Sequence, residues 1–280
     1  MDTIITPEIV DDCPAAGRAW DGADVADLAL AKQLLEEECL AGRLAEIIGD
    51  PIENLIKMLP PQARAMIDKT TEKALWSALR VASSTLSAGT RGASAKLHKL
   101  GAMVAGGTSG AFGVSLLAFE LPVTTILMMR AILDIARAHG HDIKSPKVMA
   151  SAIEVFALGA KSNQRDDGVE VSYYATRLAL AQAVREASRH LAAKGLASKG
   201  APALVRLVAA VGSRFGVAVG EKAAAQLVPL VGAVGGAVIN TLFMSHFQDL
   251  ARGHFTILRL EEKYGAEAVR ARYEGLGHEA

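Results

Sequence analysis

Hydrophobic residues along this chain recur with the period of helices. From Val25 to Ile48, the residues Leu28, Leu34, Leu35, Leu44, Ile47 and Ile48 return at steps of three and four, and Gly49 stands where such a helix would close. Asp50-Pro51-Ile52-Glu53 then supplies an N-cap residue, a proline at the first helical position and an acid at the third, which predicts a short helix. Pro60-Pro61 ends that helix and opens a longer one through Met66, Ala74, Leu75, Leu79 and Leu86. After Leu121-Pro122 an apolar stretch runs to Gly140, with Arg130, Asp134 and Arg137 on its polar side. Ser145-Pro146 opens the next helix, carrying Ile153, Phe156 and Leu158. Residues 162–168 read as a polar loop, and an amphipathic helix follows from Val169 to Lys194, broken by Gly195 to Pro202. The chain ends in an ordinary charged helix, LEEKYGAEAVRARYEGL.

Two segments depart from the soluble-helix pattern. Residues 100–119 are twenty positions without a formal charge, five of them glycine, and residues 223–248 are 26 positions without Asp, Glu, Lys or Arg. A helix of about 20 residues spans a bilayer core, so both qualify on length. Composition pulls the other way: Gln226, Pro229 and Asn240 interrupt one run, glycine weakens the other, and neither has the Trp/Tyr flanks of an anchored span. No period-2 pattern is long enough to build a sheet. The fold class expected is therefore all-α, a Gly/Ala-rich multi-helix bundle with long apolar central helices. Residues 1–23, rich in Asp and carrying Pro7, Pro14, Gly17 and Gly22, read as a loosely ordered acidic leader, and residues 24–280 as a single helical domain.

Composition supports a closed core: 51% of the 280 residues are hydrophobic, and the mean hydropathy of +0.25 lies between an ordinary cytosolic protein and a polytopic one. Thirty basic and thirty acidic side chains cancel, which excludes the strongly basic footprint of a general nucleic-acid binder. The charge is nonetheless uneven, with residues 1–60 at net −9, residues 61–100 at +5 and residues 177–214 at +6. Either the two signs satisfy each other within the fold, or an acidic end and a basic surface serve different partners. The amino terminus lacks the basic and apolar regions of a secretory signal, and Cys13 and Cys39 make no disulfide framework, so a cytoplasmic address is expected.

Motifs for defined chemistry are missing. Gly159-Ala160-Lys161-Ser162 lacks the leading glycine of a phosphate loop, and Gly107-Thr108-Ser109-Gly110 fails the nucleophile-elbow pattern at Ala111. No H-E-x-x-H or C-x-x-C occurs, so neither metal nor cofactor is expected, and His139 and His141 around Gly140 read as a solvated loop. Polar residues inside apolar helices are more informative, because an unpaired buried charge is costly. Glu120, Arg130, Asp134, Glu154, Arg214, Glu221, Asn240, His246 and Asp249 form this candidate cluster. Arg130 and Asp134 share a helix face, as do His246 and Asp249. A salt-bridge network that fixes helix register is the expectation, with an acid–base or ligand pocket inside the bundle as the alternative. Glycines at four-residue spacing, Gly106/Gly110, Gly212/Gly216/Gly220 and Gly232/Gly236, form stripes on which helix backbones approach closely, in lipid or in a tight soluble bundle.

Three blocks carry a resemblance. They are Glu120-Leu121-Pro122-Val123-Thr124-Thr125 with Met129-Arg130 and Asp134 to Arg137; Glu154 to Gly159 with Ser172-Tyr173-Tyr174 and Arg177; and Ser213 to Gly216, Glu221 to Ala224, Gly232, Gly235, Asn240, His246 to Asp249 and Gly253-His254-Phe255. Together, over about Asp50 to Tyr264, the chain resembles the EcsC family of bacterial proteins. The resemblance implies a compact, Gly-rich helical protein whose namesake is linked with an ABC-type exporter system, without an assigned reaction. Where the family pattern has Asp, this chain has Glu120, a poor helix cap. With the uncharged runs, the glycine stripes and the basic 177–214 region, the expectation is a non-enzymatic helical accessory protein. It would be peripherally associated with the inner face of the membrane, with anionic lipid or a membrane protein as partner and no nucleic acid.

Overall fold

A computed structural model describes residues 19–36, 40–87, 113–159, 173–195, 201–226 and 232–276. These form ten helices and, among the described residues, no strand. They are α1 (Gly22–Glu36), α2 (Leu40–Ile48), α3 (Ile52–Lys57), α4 (Pro61–Ser87) and α5 (Gly113–Ala138), followed by α6 (Pro146–Leu158), α7 (Tyr173–Lys194), α8 (Pro202–Ala225), α9 (Gly232–Tyr264) and α10 (Ala266–Gly275). The all-α class read from periodicity is the observed one. Residues 1–18 of the acidic leader, Gly106, Gly110, the 162–168 loop and residues 227–231 of the second uncharged run lie outside the described residues.

Helix ends follow local chemistry. Gly49, Gly140, Gly195 and Gly265 all have positive φ, from 58 to 88°, which only glycine adopts without strain. At Gly140 the amide of His141 reaches back to the Ala136 carbonyl, closing α5. Gly265 also divides the terminal charged segment, read as one helix, into α9 and α10. Pro146 and Pro202 stand at the starts of α6 and α8. Asp50, expected as a cap, gives no side-chain cap to α3; Pro51 is the cap residue and its carbonyl accepts the Asn54 amide.

α6 occupies the centre. Every residue from Val148 to Leu158 is buried, because α4, α5, α7, α8 and α9 all pack on it. A helix that is apolar all round can be stable only when enclosed in this way. Its Phe156 meets Phe215 of α8 and Phe247 of α9 at centroid distances of 4.9 and 5.6 Å, and Phe243 completes the ring cluster against Phe247 at 5.2 Å. α1 lies antiparallel along α9, burying Leu28, Ala31 and Leu35.

Two expectations change at this level. The Leu121-Pro122 pair does not start a helix: α5 runs through Pro122, which deprives the carbonyl four residues back of a donor. Downstream, the hydroxyls of Thr124 and Thr125 donate to the carbonyls of Glu120 and Leu121 at 3.0 and 2.7 Å. Glu120 is thus a mid-helix residue, so its poor capping power carries no penalty.

The close backbone approaches occur at glycines outside the predicted stripes. A Cβ at Gly253 would lie 2.6 Å from Leu35 Cγ and 3.0 Å from the Ala31 carbonyl oxygen, and one at Gly159 would lie 2.8 Å from the Phe247 ring. Gly212 has ordinary clearance at 3.6 Å from Leu75, and Gly216 at 3.8 Å from Asp68, while Gly220 and Gly236 face open space. Gly232 is the first residue of α9. The four-residue spacing correctly places Gly212, Gly216 and Gly220 on one stripe of α8, but that stripe does not press on another backbone. Gly253→Ala is therefore expected to lower unfolding stability by about 1–3 kcal/mol through overpacking against α1. Gly220→Ala, with room for its methyl, is expected to raise it by about 0.5–1 kcal/mol by removing a flexible residue from a helix interior. Urea midpoints of the two variants and the parent check both signs.

Candidate functional site

Of the candidate polar residues, Glu120 has the shortest contact to another helix. Its Oε1 receives a hydrogen bond from Lys222 Nζ at 2.6 Å, joining α5 to α8. Lys222 is fully buried and its ammonium lies 5.0 Å from the Phe243 ring centroid. Burial pulls the Lys222 amine below its ordinary value, and the Glu120 carboxylate opposes the shift. The search for polar residues in apolar helices passed over Lys222, although its place beside Ala223, Ala224 and Ala225 is the same signal.

Glu154 belongs to a second group. It lies in the enclosed stretch of α6, with Oε2 3.8 Å from His254 Nε2 on α9. The Tyr173 hydroxyl of α7 lies 2.9 Å from His254 Nδ1, and with that hydroxyl donating, the imidazole proton sits on Nε2 and faces Glu154. Arg177, one turn along α7, is held bidentately by Glu261 of α9 at 2.6 and 3.0 Å. Burial raises the Glu154 carboxyl to about 7; Arg177 opposes this and Glu261 adds to it. Burial, followed by Arg177 and His141, holds His254 neutral, well below its ordinary value. Of this group, only Glu154 was singled out as a polar intruder; Tyr173, Arg177 and His254 lie in the resemblance blocks.

The remaining candidates have different neighbours. Asp134 is exposed and pairs with Arg137 at 3.1 Å rather than with Arg130, whose Nε is buried without a hydrogen-bond partner among the described residues. Asp249 accepts from Arg252 at 2.6 Å and from Arg43 and Ser245 at 3.4 Å each. His246 packs its ring on Phe247, with Nε2 toward Gly159. Arg214 reaches Thr176 at 3.4 Å, and Asn240 Oδ1 is buried on α9 without a partner among the described residues. Glu221 is buried, its Oε2 meets no partner among the described residues, and burial with Glu53 nearby raises its carboxyl to about 8. The i, i+3 and i, i+4 spacings place pairs on one face, but ionic partners come mostly from other helices. Among the described residues there is no group of three or more His, Cys, Asp or Glu able to hold a metal ion.

A different feature lies on the outside of α8. Val205, Ala209, Ser213 and Val217 are exposed at four-residue steps, and Gly220 falls on the same side over open space. The Ser213 hydroxyl donates to the Ala210 carbonyl of its own helix, so this outward stripe presents little polarity. The opposite face buries Leu204, Leu207, Val208, Val211 and Phe215. α8 is accordingly the one described helix long and apolar enough to cross a membrane by length and composition, with 39% of its most apolar window buried. On the antiparallel neighbour α7, the exposed Leu178, Arg185 and Arg189 share a face, and Arg206 of α8 pairs with Glu186 at 3.2 Å. Of the two uncharged runs, residues 100–112 lie outside the described residues. In the other, Ile239, Phe243 and Phe247 face the core, while Ala237, Val238 and Thr241 face out.

Two comparisons with known proteins, the curated sequences and the solved structures, give no match. A third, with protein families, gives one: the model described as the EcsC protein family matches residues 28–260, most of the chain.

Two stability predictions follow from the buried charges. Glu120→Gln leaves Lys222 without its carboxylate and is expected to cost about 3–5 kcal/mol, whereas Glu120→Leu with Lys222→Met together should recover most of that loss; a double-mutant cycle in urea reads the difference. For Glu221 the folded-state value lies above the ordinary one, so the folded form retains a proton that the unfolded chain releases. Its contribution to stability is lost as pH rises from about 4.5 to 8. Glu221→Gln is therefore expected to match the parent near pH 4.5 and to exceed it above pH 8 by on the order of 4 kcal/mol, measured as unfolding free energy against pH.

Proposed function

The chain belongs to the EcsC protein family, and from that premise we propose that it is a non-enzymatic, cytoplasmic accessory protein that rests on the inner face of a membrane through α8. The observation that carries this reading is the outward stripe of α8: Val205, Ala209, Ser213, Val217 and Gly220 make a nearly uncharged strip over four turns. A strip of this kind lies in the interface between headgroups and acyl chains, and basic residues beside it favour anionic lipid. Arg185 and Arg189 on α7 supply such charges. An accessory role beside an ABC-type export system rests on the family resemblance alone. The alternative of a catalytic or ligand pocket lacks support from the candidate cluster, because Glu120 pairs with Lys222 of α8, Glu154 faces His254 of α9, and Asp249 accepts from Arg252 of its own helix and from Arg43 of α2.

Sedimentation with vesicles tests the reading. The full chain is expected to pellet with phosphatidylglycerol-containing vesicles and to remain in the supernatant with pure phosphatidylcholine. Val205→Asp with Val217→Asp should weaken anionic-vesicle binding by about tenfold or more, since each valine forfeits about 1.5 kcal/mol or more of apolar burial. Equal recovery in the supernatant with both vesicle types at low and moderate salt overturns the proposal.

A further inference from the structure

We propose that the Glu154–His254 pair is a proton-operated latch, which holds the end of α6 and the start of α7 against α9 while one proton is present and loosens them when it leaves. Both side chains are more than nine-tenths buried, and their facing atoms, Oε2 and Nε2, lie 3.8 Å apart, beyond hydrogen-bond length. Nε2 meets no hydrogen-bond partner among the described residues, whereas Nδ1 is occupied by Tyr173. A neutral acid beside a neutral imidazole is tolerable in such a place; a bare carboxylate is not.

Among the described residues, no cation makes an ion pair with Glu154. From α7 it faces Tyr173 and Arg177, and from α9 His254 and Glu261, with His141 beyond His254. Arg177, a guanidinium whose field reaches it, already makes both of its short bonds to Glu261, so its charge is largely spent. Elsewhere around this part of α6 lie the apolar rings Phe215 and Phe247, which meet Phe156, and His246, whose Nε2 is toward Gly159. When the Glu154 carboxyl proton is lost, the new charge is relieved by parting the end of α6 and the start of α7 from α9 and admitting water. Tyr173 and Arg177 are the contacts that part, because they tie α7 to the same stretch of α9 that bears His254 and Glu261.

Hydrogen exchange on the full chain, corrected for intrinsic rates, tests this. With the closed-state carboxyl at about 7 and an ordinary value in the open state, opening of residues 150–159 and 173–180 is expected to rise about thirtyfold between pH 5.5 and pH 8, with α1 as an unaffected reference. In Glu154→Gln, which cannot ionise, the rise should disappear. Protection of both segments that stays constant over this range in the parent, or a rise that persists in Glu154→Gln, overturns the latch. Should that variant fail to fold, difference infrared spectra of Glu221→Gln, which lacks the other raised carboxyl, decide: a protonated-carboxyl carbonyl band that titrates near neutrality supports the latch, and its absence overturns it.

Discussion

Enclosure of α6 on every side is the constraint from which the rest of the architecture follows. A helix with no solvent face from its third residue to its last must have a surrounding wall, and α4, α5, α7, α8 and α9 provide it. The wall determines its own chemistry in turn. Phe156 requires rings around it, hence the cluster of Phe215, Phe243 and Phe247. Phe247 lies so close to the end of α6 that residue 159 has no room for a side chain. Glu154, set within the same enclosure, cannot be solvated, so its charge state becomes a property of the neighbouring helices rather than of water.

The same logic resolves the charge asymmetry of the sequence, though with partners that segment sums could not name. Asp24 of the acidic end is buried and accepts hydrogen bonds from Arg259, Lys263 and the Tyr264 hydroxyl, with Asp27 sharing Arg259. The Lys263 ammonium first, then Tyr264 and Arg259, holds the Asp24 carboxyl well below the usual carboxylate range, against its burial. Trp20 stacks on Tyr264 at 4.2 Å, so the start of α1 is fastened to α9 by charge and by ring contact together. Asp24 and Asp27 are therefore answered by the end of α9, not by the two segments with the largest positive sums. Within 177–214, Arg177 and Arg206 are engaged by Glu261 and Glu186, which leaves Arg185, Arg189 and Lys194 as the exposed cations on α7.

Legibility divides along the same physical line. Periodicity, proline starts and glycine stops are encoded within a few residues, so the helices and most of their ends could be read directly, as could the family. What depends on neighbours distant in sequence could not. The stripe Gly212, Gly216 and Gly220 was legible as a stripe, but whether it met a helix or open space depended on the placement of α4. Gly253, which does meet a backbone, has no spacing that reveals it. Pro122 looks like a boundary because a proline normally removes a helical hydrogen bond, yet packing on both sides holds α5 through it. Among the polar residues, Glu120 and Glu154 were recognisable as intruders in apolar segments. Their partners Lys222 and His254 needed the three-dimensional arrangement, because helical spacing names a face and not the helix opposite it.

The Glu120–Lys222 pair also bears on how α8 would meet a bilayer. At 24 residues the helix is about 36 Å long, enough to cross, and its outward stripe is apolar. Crossing would carry Arg206, Arg214, Glu221 and Lys222 toward hydrocarbon, at about 2.5–3.5 kcal/mol for a central charge. It would also separate Lys222 from Glu120 and Phe215 from Phe156, undoing the wall around α6. Lying flat has none of these costs: the inner face keeps its packing, Lys222 keeps its carboxylate, and only Val205, Ala209, Ser213, Val217 and Gly220 change solvent. In the proposed membrane association the buried ion pair would therefore act on α8 as an anchor that favours resting on a membrane over entering it, and the sparse charge of the helix reflects one face built for the core and another left smooth.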